Sequence, residues 1–294
     1  MIKYDDSFKD YELLACGDGS KIERFGKYIL KRPDPQAIWL LKNENKYKLN
    51  AIYNRSNEGG GSWDVHDLPE HWQIKYDIDG KSIVFNLKPY TFKHTGVFPE
   101  QSTNWKFIYD TIKNSNKKEF KVLNLFAYTG GATVACLKAG AHVTHVDSSR
   151  GMVDWCKENV SSSNCDITKV RYLVDDVVKF VQREIRRGNK YDAIIMDPPT
   201  YGRGPGKELW KFEDSLNKLL ESCIDILSDK PLFLLISSYT KGITPEILKN
   251  ILITSTNNRL LNGTITTDEI GLNITNSKLV LPCGIYGRWE SNEN

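Results

Sequence analysis

Five short apolar runs recur along the chain at 122–126, 142–146, 170–174, 193–196 and 232–236, each parted from the next by an amphipathic stretch. The runs are the length of strands buried on both faces. The stretches between them, 132–139, 151–159, 177–187 and 208–227, repeat their apolar residues with a helical period. Strand and helix in alternation imply a parallel sheet covered by helices, because parallel neighbours need a long crossover connection. Alternation at 263–270 and an apolar run at 278–286 supply two more strands, giving a doubly wound α/β sheet of seven.

The first ninety residues read differently. Turn signals fall at CGDGS (16–20), KRPDP (31–35) and NEGGGSW (57–63), with short alternating stretches between them. Residues 72–76 and 82–87 flank Asp79-Gly80, a pair suited to the positive φ angles of a type I′ turn, so they form a hairpin. The chain therefore divides into a small β-rich N-terminal domain, 1–92, and an α/β domain, 93–294. A length of 294 residues suits one full-sized domain with a smaller companion.

Composition narrows the function classes. With 40% hydrophobic and 26% charged residues the chain is globular, not disordered. The formal charge is only +3, residues 1–110 are balanced, and the basic excess lies in 111–190, with 14 basic and 8 acidic side chains. No basic arm is present, so nucleic acid would be met by a folded surface. MIKYDDSFKD lacks a basic region followed by an apolar core, and no apolar run approaches the ~18 residues of a membrane span, so a cytoplasmic protein without membrane contact is expected. The six cysteines contain no CxxC pair and stand with no histidine at zinc-ligand spacing; they are expected to be reduced thiols, and no metal is expected.

The chemistry begins at residues 122–147, VLNLFAYTGGATVACLKAGAHVTHVD. A buried strand enters the turn Thr129-Gly130-Gly131, a helix follows, and a second strand ends on Asp147. Glycine lets backbone approach a ligand, and a carboxylate at the second strand's tip accepts ribose hydroxyls. The turn is not GxGxxG and offers no cradle for a pyrophosphate, so an adenosine cofactor without phosphates, such as S-adenosylmethionine, fits better. The third strand ends in Asp175-Asp176 and the fourth in Asp197-Pro198-Pro199, where a rigid, extended backbone edges the cleft.

With these motifs in place, residues 96–294 resemble a class I S-adenosylmethionine-dependent methyltransferase, whose fold is a Rossmann-like doubly wound seven-stranded sheet. TGVFPEQ (95–101), LNLFAYTGG (123–131), HVDSS (145–149), DPPTYGRG (197–204) and ERFGKYILKRPDPQAIW (23–39) are similar to the bacterial ribosomal-RNA large-subunit methyltransferases RlmI and RlmK and their uncharacterised relatives. The resemblance implies that Phe98, Gln101 and the loop Phe126, Tyr128, Thr129 and Gly130 face the cofactor's methionine end, with Glu100 beside the methionine ammonium. It further implies that Asp147 binds the ribose, Asp176 the adenine amino group, and Asp197 with Pro198 faces the transferred methyl. Ribosomal RNA is the implied partner, and a homodimer is left open.

Two departures bear on the substrate. Enzymes of this group that methylate cytosine C5 use a cysteine after the fifth strand, because C5 is unreactive until a thiolate adds at C6. Here that stretch is LLISSYTKG, and Cys223 lies upstream in an amphipathic segment. Amine methyltransferases place an aromatic directly after the two prolines, whereas here Thr200 intervenes before Tyr201. Direct in-line transfer to an already nucleophilic atom, such as guanine N7, remains. Tyr201 and Arg203 are candidates for base stacking and phosphate contact, or anchor the loop. GRGPGKE (202–208) has the wrong spacing for a P-loop and is expected to be a lid, with Glu208 opening the next helix. His94 is read as capping a turn in preference to acting as a base. Competing readings are a methyltransferase for a protein or small molecule, and a non-catalytic cofactor-binding module.

Overall fold

The computed structural model describes residues 2–41, 44–56, 60–115, 117–256, 260 and 262–292. Residues 57–59 of the turn segment 57–63 lie outside the described residues. The chain forms two compact units, Ile2–Thr103 with Ile270–Cys283, and Asn104–Glu269 with Gly284–Asn294. Among the described residues no helix is long and apolar enough to cross a membrane.

The first unit is built on a five-stranded sheet, β1 (Tyr11–Gly17), β2 (Ser20–Phe25), β3 (Tyr28–Pro33), β4 (Ala51–Arg55) and β5 (Gly61–Val65), in sequence order. Neighbours are antiparallel except β3 and β4, which run parallel. A separate hairpin, β6 (Trp72–Ile78) and β7 (Lys81–Leu87), turns through Asp79 at φ +49° and Gly80 at φ +71°, as the Asp-Gly pair predicts. β6 buries alternate residues, Trp72, Ile74, Tyr76 and Ile78, the period-2 signature of a strand with one wet face. Beneath the larger sheet, the guanidinium of Arg32 donates to both oxygens of buried Glu23 at 2.7 and 2.8 Å, and Tyr11 adds a third bond at 2.8 Å. Burial opposes the Glu23 charge, yet Arg32 and Lys21 prevail and hold its carboxyl at about 2.

The rest of the chain follows the predicted alternation. α1 (Ser102–Asn114) precedes β8 (Lys121–Leu125), α2 (Gly131–Ala139), β9 (His142–Asp147), α3 (Arg150–Ser162), β10 (Val170–Val174), α4 (Val177–Arg187) and β11 (Ala193–Met196). A short hairpin, β12 (Tyr201–Arg203) and β13 (Leu209–Lys211), leads into α5 (Phe212–Asp225), β14 (Phe233–Ser238), α6 (Pro245–Thr256), β15 (Gly263–Asn273) and β16 (Val280–Ser291). The sheet order is β10-β9-β8-β11-β14-β16-β15. Its first five strands are parallel, and β16 returns antiparallel to β14.

α4 shows why these segments become helices. Val177, Phe180, Val181 and Glu184 recur at helical spacing and are buried, Asp176 caps the first turn, and Gly188 at φ +67° ends the last beside Arg186 and Arg187. The core of this unit joins Leu123, Leu125, Val146, Phe180, Ile194, Leu216, Leu220 and Leu234, each essentially closed to solvent. Each such side chain contributes roughly 1.5–3 kcal/mol on burial.

One segment departs from expectation. The helix expected from residue 208 does not begin there: Leu209–Lys211 form the second strand of the hairpin, and α5 starts only at Phe212. Leu209, Trp210 and Phe212 extend the apolar pattern of α5 toward the N-terminus, which mimics a longer helix. The pairing of Gly202 with Trp210 and the burial of the Trp210 ring decide for the strand.

Candidate cofactor site

Parallel register brings four strand ends to one edge of the sheet. Leu125 lies opposite Val146 and Met196, and Val174 lies opposite Asp147, so the segments that follow emerge together. The strand order reverses between β8 and β11, which is where open α/β sheets bind their ligands.

The loop after β8 is held in an uncommon conformation. Phe126 at φ +53°, Tyr128 at φ +50° and Gly130 at φ +84° alternate in the left-handed region, which costs a non-glycine residue on the order of 1–2 kcal/mol. Two close contacts explain the glycines that follow. A Cβ on Gly130 would overlap Sγ of Cys156, and one on Gly131 would come 2.7 Å from the Trp105 ring. Thr129 is buried, and its carbonyl accepts from Nδ2 of Asn159 at 2.9 Å.

Asp147 closes β9 with its carboxylate already oriented. Oδ2 accepts the backbone N–H of Tyr128 at 2.9 Å, and Oδ1 accepts that of Ser149 at 2.8 Å. Burial raises its pKa above the ordinary aspartate value although both backbone bonds oppose the rise. Each oxygen retains a lone pair, the capacity needed to accept two vicinal hydroxyls.

Asp176 opens α4, and its Oδ1 accepts the Lys179 N–H at 2.9 Å. A Cβ on Gly204 would come 2.8 Å from Oδ2, so the hairpin tip lies against this carboxylate. Neighbouring Asp175 is ion-paired with Arg183. Glu208, expected at a helix start, instead pairs with Lys179 and accepts the Gly206 N–H at 2.8 Å. Residues 204–208 of the glycine-rich segment thus join two antiparallel strands rather than a strand and a helix, in keeping with its rejection as a P-loop.

After β11, Asp197 is partly buried, Pro198 is buried and Pro199 is exposed. Nε1 of Trp210 donates to the Pro199 carbonyl at 2.7 Å, and its ring lies 4.8 Å from that of Phe126, fastening the hairpin to the glycine loop. Thr200 and Thr240 share a hydroxyl–hydroxyl bond of 2.9 Å. Tyr201 stands 53% exposed on β12, with Arg203 on the same face two residues on.

Phe126, Tyr128, Thr129, Gly130, Asp147, Asp176, Asp197, Pro198 and Tyr201 all belong to the second unit, whereas Phe98 and Gln101 belong to the first. There, Phe98 precedes the short turn Pro99–Gln101, in which Glu100 and Gln101 are buried. His94 closes the turn Thr91–Lys93 and packs edge-on to Phe98 at 5.4 Å. Burial, with Arg32 and Lys93 nearby, lowers its pKa to about 4, so it is neutral at pH 7. Sequence reasoning missed Trp105 and Trp210, which read as ordinary core residues, and the buried polar residues Asn124, Thr133 and His145. The only hint of these was a polar residue inside the apolar run VLNLF.

A reversing parallel sheet, a glycine turn after its first strand and an anchored carboxylate after its second define an α/β domain built for an adenosine cofactor. A family model described as S-adenosylmethionine-dependent methyltransferase matches residues 53–239, and the chain belongs to that family. The "Ribosomal RNA large subunit methyltransferase I" of Escherichia coli (strain SMS-3-5 / SECEC) is 36% identical over 237 residues, 74% of this chain and 55% of that protein. The protein of the same name from Enterobacter sp. (strain 638) is 36% identical over 107 residues, 36% of this chain and 24% of that one. The chain thus spans about half the length of the curated relatives it matches, or less. The crystal structure of the SAM-dependent methyltransferase from Agrobacterium tumefaciens superposes with a TM-score of 0.90 at 32% identity, covering 99% of this chain and 93% of that one. SMU.776, solved in complex with SAH, shares the fold, with a TM-score of 0.72 at 19% identity over 97% of this chain and 76% of that one.

The residues present fit the family's cofactor, S-adenosylmethionine. The pre-oriented Asp147 carboxylate suits a ribose, the left-handed turn from Phe126 to Gly130 would let backbone approach a ligand, and carboxylates with aromatic rings favour a sulfonium charge. When bound, the cofactor supplies an electrophilic methyl group on sulfur.

Proposed function

We propose that this chain methylates a base of ribosomal RNA by direct methyl transfer, without a cysteine nucleophile. Within the second unit, Phe126, Tyr128, Thr129, Gly130, Asp147, Asp176 and Asp197 hold the cofactor; Asp197, Pro198 and Tyr201 face the acceptor. The observation that carries the reading is the placement of Tyr201 and Arg203, an exposed aromatic and a guanidinium on one strand face just beyond Asp197-Pro198. That pairing suits stacking on an unpaired base and contact with its phosphate. Relatives named as ribosomal RNA methyltransferases support the same substrate class.

Absence of a thiol nucleophile is supported by the end of β14. Ser237 and Ser238 are buried there, and Ser238 Oγ accepts the Thr240 N–H at 3.3 Å. Cys223 is fully buried in α5, and burial raises its thiol pKa far above the range in which a thiolate forms. Asp197 and Pro198 then act by aligning the acceptor and excluding water, with no covalent step on the protein.

The test is transfer of tritium from labelled S-adenosylmethionine to deproteinised ribosomal RNA and to ribosomal subunits. Incorporation into one nucleotide, lost in Tyr201→Ala, is expected. Absence of label from every RNA form would overturn the reading, and a covalent adduct with RNA containing 5-fluorocytidine would overturn its cysteine-free chemistry.

A further inference from the structure

Beneath the glycine turn lies a chain of polar side chains that no contact with solvent requires. Asn124 on β8, Thr133 on α2 and His145 on β9 are each between 0 and 3% exposed. Nδ2 of Asn124 donates to Oγ1 of Thr133 at 2.9 Å, and Oγ1 of Thr133 shares a hydrogen bond of 2.9 Å with Nδ1 of His145. Sγ of Cys156, the atom directly under Gly130, lies 3.4 Å from the same nitrogen. Nε2 of His145 meets no hydrogen-bond partner among the described residues. Leucine or valine at these three positions would fill the space without any polar group to satisfy, so sheet stability alone does not account for them.

What they hold is informative. Thr133 sits in the first turn of α2, immediately after the turn at 129–131, and the Val134 N–H donates to the Gly130 carbonyl. His145 precedes Asp147 by two residues on β9, and Asp147 in turn accepts the Tyr128 N–H. The three polar residues therefore link the strand before the turn, the helix after it and the strand carrying the ribose-facing carboxylate. Burial drives the His145 pKa to about 3, so the ring stays neutral at physiological pH and the bonds do not change with its titration there.

We propose that Thr133 and His145 are positioning residues for methyl transfer, their buried hydrogen-bond chain with Asn124 fixing the turn 128–131 against the Asp147 strand in the register that receives the cofactor. The inference rests on the assignment of that turn and Asp147 to the cofactor.

Calorimetric titration with S-adenosylhomocysteine tests it, at a temperature where every variant is fully folded by circular dichroism. Thr133→Val, which exchanges a hydroxyl for a methyl at constant volume, is expected to weaken binding about tenfold, as loss of roughly one oriented hydrogen bond would. Thr133→Ser, which restores the hydroxyl, is expected to recover wild-type affinity, and amide exchange over 127–134 is expected to quicken in the valine variant only. Should Thr133→Val not fold, the triple variant Asn124→Leu, Thr133→Val, His145→Phe removes every donor and acceptor together, and the same weakening is expected. A folded valine or triple variant that melts lower yet binds with unchanged affinity would overturn the proposal. Asp147→Ala is titrated alongside. If that variant binds as tightly as the wild type, the cofactor-site assignment itself has failed; if it loses binding while the valine variant does not, only the positioning role has.

Discussion

Tyr128 and Asp147 are joined by a 2.9 Å hydrogen bond from backbone to carboxylate, and the bond closes a loop between two strands that are neighbours in the sheet. Tyr128 adopts φ +50° to present its N–H, so local strain is exchanged for a carboxylate that needs no reorganisation when a ligand arrives. Asp147→Ala is expected to abolish micromolar binding of S-adenosylhomocysteine, a loss on the order of 100-fold or more, because charge-assisted bonds contribute about 1.5–3 kcal/mol each. Calorimetry on the two proteins measures it.

The same carboxylate sets a pH dependence. Burial raises its pKa, so protonation begins at a higher pH than for an ordinary aspartate at about 3.9. On the proposed assignment the ionised form accepts the ribose hydroxyls, so affinity for S-adenosylhomocysteine is expected to fall as pH drops, starting above that value. Titrations at stepped pH values below neutrality would show it. An affinity that is flat until the fold is lost would contradict the assignment.

The frame of the candidate site is legible in the sequence because it is local. Strand, glycine turn, helix and terminal aspartate follow one another within residues 122–147, and each has its own signal. The hairpin 201–211 was not visible, since Leu209 and Trp210 fall in phase with α5 and only the cross-strand pairing with Tyr201–Arg203 separates them. The hydrogen bonds among Asn124, Thr133 and His145 were hidden for a different reason, since they join three elements whose register no local pattern encodes. The parallel pairing of β3 with β4 was equally out of reach, because a long connection separates the two strands.

Gly130 tests how tightly the turn is packed. Gly130→Ala meets two penalties, a left-handed φ of +84° and overlap with Sγ of Cys156. A loss of about 2–4 kcal/mol is expected from the two together. Adding Cys156→Ala is expected to recover the overlap with Sγ, while the tight 3.1 Å approach to Cβ of residue 156 and the conformational part remain. Urea denaturation of the single and double variants separates them, and no recovery in the double variant would place the cost in the backbone alone.

Burial in the folded state disfavours the charged form of two histidines. Burial lowers His145 to about 3 and His94 to about 4. A depressed folded pKa contributes stability above the unfolded value of about 6.5 and loses it as pH falls toward the folded value, with a slope near 1.4 kcal/mol per pH unit for each group. Stability is therefore expected to decline from pH 6.5 toward pH 4, and His94→Gln is expected to reduce that slope. Urea midpoints measured across this range check the sign and the difference.

Trp210 tests whether the hairpin serves the acceptor or the cofactor. Its indole N–H holds the Pro199 carbonyl at 2.7 Å, and its ring packs on Phe126. Trp210→Phe keeps an aromatic ring against Phe126 and removes the hydrogen bond, which is expected to cost about 0.5–1.5 kcal/mol in stability. Binding of S-adenosylhomocysteine is expected to stay within about threefold of wild type, because the tilted ring contact with Phe126 persists. The methylation rate is expected to fall further, because the freed Pro199 no longer fixes the backbone between Asp197-Pro198 and Tyr201. Equal losses in affinity and rate would show that Trp210 supports the glycine loop through Phe126 alone, and would move the hairpin's role from the acceptor to the cofactor.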